Sequence, residues 1–566
     1  MKKERNFIKQ DIKVDSWAVI EPYLDNLVFR EINSSEELLQ WWKDRSELEA
    51  FLSEDMAWRY IKMSCDTEND ELAENFNFFV NEIEPKASEY SDTLDKKLIQ
   101  NKYADSLDSD KYFIPMRSIK RSIEMFRKEN IPIFSALQKE IQEFGKISGA
   151  MSVTQNGEEM TLQKAANFLK DTDRAVRKEI YEKINNRRYE DKDQLNNLLD
   201  KLIKKRQQVA ENTGYKNYRD YKFDAMHRFD YTVDDCRAFH NSVKETILPL
   251  TKKIQETRKE KMGLKNLRPY DMAVDPDGKK KLEPFSTSAE LIEKSIEIFS
   301  KIKPQYGEYL STMKKEGFLD LESRKGKAPG GFNYPLYESN IPFIFMNATG
   351  NIRDVETLMH EGGHAIHSFL SSDLEPVDFK SLPSEVAELA SMSMELISLE
   401  HRNLFFDNED DFIRAKRTQL EGILHTLPWV AIIDKFQQEL YLNPEHSHEE
   451  RKQLWNGIMN EFSTGIVDNS GYEKFRDIAW QKQLHIFEVP FYYIEYGFAQ
   501  LGAVSVWKNY KENPKKALKD YEAALKLGYS KTIPEIYKTA GIAFNFSKEY
   551  IGELAEFVQK ELEQLD

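Results

Sequence analysis

The sequence predicts a mostly α-helical fold with a small β-sheet. Apolar residues recur at the spacing of one helix face in long stretches of the chain. Two such stripes are Phe134, Leu137, Ile141 and Phe144, and Leu195, Leu198, Leu199, Leu202 and Ile203. The chain has 566 residues, 40% of them hydrophobic, with 23 Gly and 19 Pro, a globular and helix-friendly balance. We interpret the stripes as packing surfaces between helices and assign them no chemistry.

Two features break the helical pattern in the first half of the chain. Asn156-Gly157 separates Met151–Thr154 from Glu158–Leu162, and this dipeptide favours the type I′ turn of a tight hairpin. The run Asp275–Gly278, followed by three lysines, is typical of a solvated loop. Because a chain of this length forms two or more substructures, that loop is a candidate boundary between lobes.

A short apolar segment, Ile341–Met346, lies between Asn340 and Asn347, and its β-branched and aromatic residues predict a strand. Pro342 cannot donate a hydrogen bond, so the strand begins near it or lies on the edge of a sheet. An edge strand could pair with an extended peptide, whereas an ordinary core strand fits the pattern at least as well. The helical pattern resumes at about Ile352 and continues to the end.

The charge and the cysteine content limit the expected partners and the expected cellular compartment. Lys and Arg number 81 against 97 Asp and Glu, a formal charge of -16, so neither nucleic acid nor a membrane is an expected partner. Two cysteines, Cys65 and Cys236, exclude a disulfide framework and an all-thiolate metal site. The N-terminal segment contains Lys2 and Lys3 but no apolar core of a signal peptide. We expect a cytoplasmic protein, with a monomer favoured and the oligomeric state left open.

One motif carries the chemistry: His360-Glu361-Gly362-Gly363-His364, in a segment that is predicted to be helical. Residues four apart lie one above the other on a helix, so both imidazoles can point at one metal ion. Glu361 lies about 100° further round the helix, where it can reach a water on the metal. In this composition a chance H-E-x-x-H is expected only about 0.03 times. Each mid-helix glycine costs about 1 kcal/mol relative to Ala, so the pair indicates close approach of a backbone, metal or substrate.

A second helix is predicted from Ser384 onward. Its carboxylates Glu385, Glu388 and Glu395 fall on one stripe, which is unusual unless something cationic faces them. A catalytic zinc usually takes three protein ligands and leaves one position for water. Glu388 follows His360 by 28 residues, enough for the first helix to end and the second to return beside it. Glu385 and Glu395 could then hydrogen-bond the far ring nitrogens of the histidines.

Other assignments stay open at this point. Glu356, four residues before His360, is a competing metal ligand on the first helix. His367, seven residues after His360, shares that face, and we expect it to support or pack rather than to bind as a fourth ligand. A solvated acidic face is the alternative interpretation of the glutamate stripe.

The motif, extended through His367, resembles the H-E-x-G-H-x-x-H helix of the thimet oligopeptidase and oligoendopeptidase F peptidases. The resemblance covers roughly the last two thirds of the chain, and Gly214–Tyr218 is similar to the oligoendopeptidase F branch. The first 150 residues match only in general helical character. The other matching segments are Ala328–Phe332, Pro342–Asn347, Arg353–Val355 and Pro490–Tyr496.

The resemblance implies a zinc site and a fold. The zinc ligands would be His360, His364 and Glu388, with one zinc per chain and Glu361 as general base. The family fold implies two helical lobes around a deep substrate channel, with zincin-like active-site helices. We expect an N-terminal helical lobe over residues 1–205 and a catalytic domain over 206–566, with the lobes interleaved.

The resemblance also implies contacts with the substrate. The predicted strand, through Phe343, Phe345 and Asn347, would line the cleft, and Tyr492 would contact the substrate. A late loop supplies candidate donors to the developing oxyanion. Tyrosine suits that role because a neutral hydroxyl can donate a hydrogen bond. The candidates are His485, Tyr496 and, as second choice among the tyrosines, Tyr493.

These observations favour a zinc-dependent endopeptidase that hydrolyses internal bonds of short oligopeptides. A helical zinc carboxypeptidase, which trims free C-termini, is one alternative, and cleavage of end-blocked peptides separates the two. A catalytically inactive peptide-binding protein is another, and metal stoichiometry tests it. Cobalt or manganese could occupy the same two His and one Glu.

Overall fold

The computed structural model describes residues 5–566, so Lys2 and Lys3 lie outside the described residues. The chain is mostly helical, as predicted, and divides into two compact units. The first unit comprises the described residues up to Glu124 with Glu283–Ala415 and Gly502–Phe544. The second comprises Met125–Leu282, Lys416–Leu501 and Asn545–Asp566. The break after Leu282 follows the Asp275–Gly278 loop, whereas the expected division at residue 205 stays a prediction.

Helices build most of the first unit. Their bounds are Trp17–Phe29, Ser35–Cys65, Asp70–Phe78, Glu84–Gln100, Ser109–Met125, Ser288–Ile302, Pro304–Glu316, Ile352–Leu370, Ser384–Leu399, Pro514–Leu525 and Ile533–Thr539. A π-helical turn, Phe79–Ile83, joins the third helix to the fourth. Apolar side chains such as Trp41, Trp42 and Leu98 pack between the N-terminal helices.

Helices also build the second unit. Their bounds are Ile131–Gly149, Leu162–Ala166, Arg174–Glu190, Lys192–Asn212, Tyr218–Ala225, Val233–Thr246, Leu248–Lys261, His448–Glu461, Glu473–Arg476, Leu484–Glu488 and Lys548–Glu563. Two more helices, Glu409–Leu442 and Tyr493–Glu512, each have residues assigned to both units. No helix within residues 5–566 combines the length and the apolar content needed to cross a membrane. The expected cytoplasmic location stays a prediction.

The two apolar stripes differ in outcome. All five residues of the stripe that begins at Leu195 and ends at Ile203 are buried, so this stripe is confirmed as a packing surface. In the other stripe Leu137 and Phe144 are buried, but Phe134 is 45% exposed, so its assignment to the core was wrong. Phe134 lies in the first turn of its helix, before the segment where the helix packs.

The predicted hairpin is confirmed. Strands β1 (Ser152–Gln155) and β2 (Glu158–Thr161) pair antiparallel, with Gln155 opposite Glu158. Asn156 and Gly157 have φ angles of 53° and 81°. A type I′ turn requires positive φ at both positions, which is why Asn-Gly predicts it.

A three-stranded sheet lies in the first unit. Strand β5 (Phe343–Ala348) is central, parallel to β3 (Leu319–Glu322) and antiparallel to β4 (Phe332–Tyr334). The core-strand interpretation is therefore confirmed and the edge-strand interpretation was wrong. Pro342 immediately precedes the strand, where its missing donor costs no ladder hydrogen bond.

Candidate metal centre

The motif helix, Ile352–Leu370, begins with a reciprocal cap. The Asn351 side chain accepts a hydrogen bond from the Asp354 amide at 3.2 Å, and the Asp354 carboxylate accepts one from the Asn351 amide at 3.0 Å. This capping box satisfies helix donors that have no partner in the first turn. The helix start is thereby defined, and His360 and His364 follow on successive turns of a regular helix.

Both motif glycines admit a close neighbour. A Cβ atom on Gly363 would lie 2.6 Å from the Cα of Ser391 and 2.8 Å from the carbonyl oxygen of Ala390. A Cβ on Gly362 would lie 2.4 Å from the ring of Phe299. Ser391 and Ala390 belong to the glutamate helix, Ser384–Leu399, so Gly363 lets the two helix backbones approach. The expectation of a close backbone is confirmed at Gly363, whereas Gly362 meets a side chain instead.

The two helices bring His360, His364 and Glu388 together. One ligand atom from each lies within 4.8 Å of the other two. The Oε2 atom of Glu388 is 3.3 Å from His360 Nε2 and 3.7 Å from His364 Nε2. Two ligands at about 2.1 Å from a tetrahedral zinc ion are about 3.4 Å apart, so these spacings fit such an ion.

Two neighbouring side chains hold the group in place. The Oε1 atom of Glu395 lies 2.7 Å from His360 Nδ1, which leaves Nε2 to face Glu388. The Ser391 hydroxyl donates to Glu388 Oε2 at 3.0 Å. For Glu385, the Tyr537 hydroxyl donates to its main-chain carbonyl oxygen, and the predicted contact of its carboxylate with a histidine stays a prediction.

Burial and charge set the protonation states of this group. Burial lowers the pKa of His364 to about 4. Burial opposes ionisation of Glu388, but its hydrogen bond with His360 holds the pKa at about 2. For His360, hydrogen bonds with Glu388 and Glu395 outweigh burial and raise the pKa. A neutral His364 and an anionic Glu388 are the forms that bind a metal cation.

Glu361 lies beside this group and is only 7% exposed. Burial raises its pKa to about 7, the carboxylates of Glu388 and Glu395 add to the rise, and His360 opposes it. The Asn333 side chain donates to the Glu361 carbonyl oxygen at 3.2 Å, which ties strand β4 to the motif helix. His367 is 1% exposed with a pKa lowered by burial to about 3, so it is a neutral residue of the core.

The sequence did not indicate some residues that contact the candidate site. Ser391 lies three residues after Glu388 on one helix, and that spacing could have indicated it. Asn333 lies in strand β4, where no motif indicated a functional residue. Arg402, 2% exposed, donates to the carbonyl oxygen of Glu395, and Glu356 lies in its electrostatic environment. The ligand atoms that lie within 4.8 Å of one another belong to His360, His364 and Glu388, and Glu356 is not part of this group.

The residues expected to line the substrate cleft have structural contacts of their own. Phe343 and Phe345 are 4% and 0% exposed and pack in a cluster with Ala57 and Ile61. The Asn347 side chain donates to the carbonyl oxygens of Ala328 and Gly330, at 2.8 and 2.9 Å. Their role in substrate binding stays a prediction.

The predicted oxyanion donors form an aromatic cluster in the second unit. The His485 ring centroid lies 4.8 Å from that of Tyr493, 5.8 Å from that of Tyr496 and 6.1 Å from that of Tyr492. Gln483 Nε2 lies 2.7 Å from His485 Nδ1. Four side chains that the sequence nominated separately are therefore neighbours.

Comparisons with known proteins agree with this site. The family model Peptidase family M3 matches residues 167–556, and the model Peptidase M3 N-terminal domain matches residues 15–126. An oligoendopeptidase F homolog of Borreliella burgdorferi is 27% identical over 411 residues, 70% of this chain and 65% of that protein. The oligopeptidase PepF of Bacillus subtilis is 24% identical over 430 residues, 73% of this chain and 60% of that protein. The matched region thus spans less than two thirds of each relative.

Solved structures extend the similarity to the whole fold. The structure of PZ peptidase A with an inhibitor matches 99% of this chain and 100% of its own, with a TM-score of 0.91 and 26% identity. The resemblance predicted from the motif residues is confirmed. Since a family model matches more than half of the sequence, including both histidines and Glu388, the chain belongs to peptidase family M3.

Proposed function

We propose that this protein is a zinc-dependent endopeptidase that cleaves internal bonds of short oligopeptides. The observation that carries the proposal is the meeting of His360, His364 and Glu388 ligand atoms within 4.8 Å of one another. Membership of peptidase family M3 and the names of the oligopeptidase relatives support the reaction class.

The donor set suits zinc. Two imidazoles and one carboxylate, spaced 3.3 and 3.7 Å across the Glu388 oxygen, match the ligands of catalytic zinc sites. His360, His364 and Glu388 would hold the ion, and the protein would carry one ion per chain. When bound, zinc would supply Lewis acidity, polarising the scissile carbonyl group and lowering the pKa of water.

Glu361 would act as the general base. Its side chain projects from the helix about 100° round from that of His360. The carboxylate is therefore next to the proposed metal ligands without being one of them. It would accept a proton from the attacking water and then donate that proton to the nitrogen of the leaving amine. Asn333 supports this role by holding the main chain at Glu361.

The side chains of His485 and Tyr496 would donate hydrogen bonds to the oxyanion of the tetrahedral intermediate. Their mutual contact, with Tyr493 and Tyr492 beside them, supports a common role for the cluster. Preorganised donors of this kind stabilise charge that develops in the transition state. Tyr492 and strand β5, through Phe343, Phe345 and Asn347, would contact the peptide.

Mass spectrometry of N-acetylated, C-amidated oligopeptides tests the proposal. The zinc-loaded protein should produce internal cuts, and a chelated sample and the Glu361→Gln variant should not. Cuts confined to peptides with a free C-terminus would support the carboxypeptidase alternative. Zinc-independent binding without any cleavage would support a peptide-binding protein.

A further inference from the structure

Phe491, next to the tyrosine cluster, has a backbone conformation that large side chains avoid. Its φ angle is 71°, in the left-handed region. Within residues 5–566, the other non-glycine residues with positive φ are Asn156, His227 and Asn340, all types that tolerate this region better. Phe491 is 0% exposed. Such a conformation persists only where the surrounding structure fixes it, and it is enriched at functional sites.

Side chains from distant parts of the sequence bind both main-chain groups of Phe491. Its amide donates to Gln437 Oε1 at 3.0 Å. Its carbonyl oxygen accepts from Arg228 Nη2, and the same nitrogen donates to Glu495 Oε1 at 2.6 Å. The side chains of Arg228 and Glu495 are 1% and 3% exposed, and Gln437 is 0% exposed. Phe491 is therefore fixed by buried polar contacts.

The Phe491 ring is fixed as well. Its centroid lies 5.4 Å from that of Tyr441, 6.1 Å from that of Phe223 and 6.5 Å from that of Tyr218. These aromatic neighbours come from two different helices of the second unit. Rotation of the turn at Phe491 would therefore disturb packing as well as hydrogen bonds.

A second buried arginine holds the other end of the same segment. Arg206, 2% exposed, donates to the carbonyl oxygens of Ile486 and Phe487 and to the Tyr441 hydroxyl, the last at 2.7 Å. These carbonyl groups directly follow His485. Arg206 thus fixes the chain beside His485, and Arg228 and Gln437 fix it beside Tyr492.

We propose that Arg206, Arg228 and Gln437, here called the clamp residues, are positioning residues that fix the orientation of His485 and the tyrosines. The inference rests on the proposed function, because it assumes that this cluster acts in catalysis. A misplacement of about 1 Å can lower a rate about 100-fold, so the clamp residues influence turnover without touching the substrate.

Gln437 offers the sharpest test because its role depends on one acceptor atom. Gln437→Met keeps the approximate volume and removes the acceptor, whereas Gln437→Glu keeps a carboxyl oxygen. Gln438→Met is the matched control, since Gln438 is 3% exposed on the same helix and donates to Asp434. We expect Gln437→Met to lower kcat at least about 10-fold with little change in KM and full zinc content. Gln437→Glu should restore most of kcat, and Gln438→Met should retain it.

A double-mutant cycle separates positioning from a general structural role. The second arm replaces Tyr492, Tyr493 and Tyr496 together by Phe. If the clamp acts through the tyrosines, adding Gln437→Met to this triple variant should cause little further loss of kcat. Additive losses would overturn the inference. Arg228→Lys replaces Gln437→Met in the cycle if the latter fails to fold.

The failure of the inference and that of the proposed function give different results. An impaired triple variant beside a Gln437→Met variant with normal kcat would overturn the inference and leave the proposed function intact. A triple variant with normal kcat would remove the tyrosines from the proposed function and would overturn the inference with it.

Discussion

The candidate metal centre in the first unit and the His485–Tyr496 segment in the second are built differently. His360, His364 and Glu388 lie on two regular helices that follow one another in sequence. The aromatic cluster lies on a short helix, Leu484–Glu488, a turn with positive φ at Phe491, and the start of another helix. Its main chain is held by side chains from residues 206, 228 and 437.

The difference indicates what fixes the side-chain orientations in each region. Helix periodicity alone places two imidazoles on one face, and a glycine allows the second helix to approach. The aromatic cluster depends on long-range polar contacts, so its geometry is more sensitive to changes elsewhere in the chain. Five predictions, ordered by expected effect, test this contrast.

His364→Ala should have the largest effect. Removal of one of the three proposed ligands leaves two, so we expect loss of both bound zinc and peptidase activity. Zinc per chain, measured by mass spectrometry of the metal, and peptide hydrolysis provide the two readouts. His448→Ala serves as control because His448 is an exposed histidine of the second unit. A His364→Ala variant with one equivalent of zinc would refute the ligand assignment.

Glu361→Gln should keep the metal and lower kcat about 1,000-fold, because it removes the proposed base but none of the proposed ligands. Zinc content and steady-state kinetics on the same preparation separate the two properties. Retained turnover at full zinc content would exclude Glu361 as general base.

Tyr496→Phe should lower kcat about 100-fold and leave zinc content unchanged, because it removes one of the proposed hydrogen-bond donors to the oxyanion. Tyr493→Phe should lower kcat by a smaller factor. Kinetics of the two variants with one peptide substrate provide the comparison. A larger loss of kcat in Tyr493→Phe than in Tyr496→Phe would make Tyr493 the main donor.

Glu395→Gln should weaken zinc binding about 10-fold to 100-fold, because Glu395 orients the His360 ring through Nδ1. Competition with a chelator measures the affinity. Glu400→Gln is the control: Glu400 directly follows the same helix and pairs with Lys511 at 3.6 Å. Equal affinities of the two variants would show that Glu395 has no orienting role.

Gly363→Ala should destabilise the fold by about 1–3 kcal/mol, because a methyl group would meet the backbone of the glutamate helix. Gly422→Ala, where the added carbon would have no atom within 4 Å beyond the adjacent residues and backbone of its own helix, should instead stabilise by up to about 1 kcal/mol. Denaturant unfolding of both variants measures the difference. Stability changes of the same sign would contradict the close-approach argument.

Much of the fold and of the candidate metal centre was predictable. Motif spacing placed His360 and His364 on one helix face, and the glutamate stripe indicated a returning helix with Glu388 and Glu395 near them. Asn-Gly predicted the hairpin turn because few residues adopt positive φ at two successive positions. These features depend on local chain geometry, which a sequence pattern expresses directly.

Long-range pairing was not predictable. Whether β5 lies at an edge or in the centre depends on β3 and β4, and no pattern in Phe343–Ala348 specifies its neighbours. Nor does the sequence around Phe491 indicate its left-handed backbone, since Phe rarely adopts positive φ. The contacts that fix Phe491 come from residues 54 and 263 positions away in sequence.

The sequence by itself thus determined the helical class, the candidate ligands and the family resemblance. Helix period and residue chemistry are properties of short segments, which explains that success. Tertiary structure decided which carboxylate faces the histidines, which glycine meets a backbone, and how the aromatic segment is held. Each of those outcomes depends on distances between segments far apart in the chain, and such distances are set only when the helices pack.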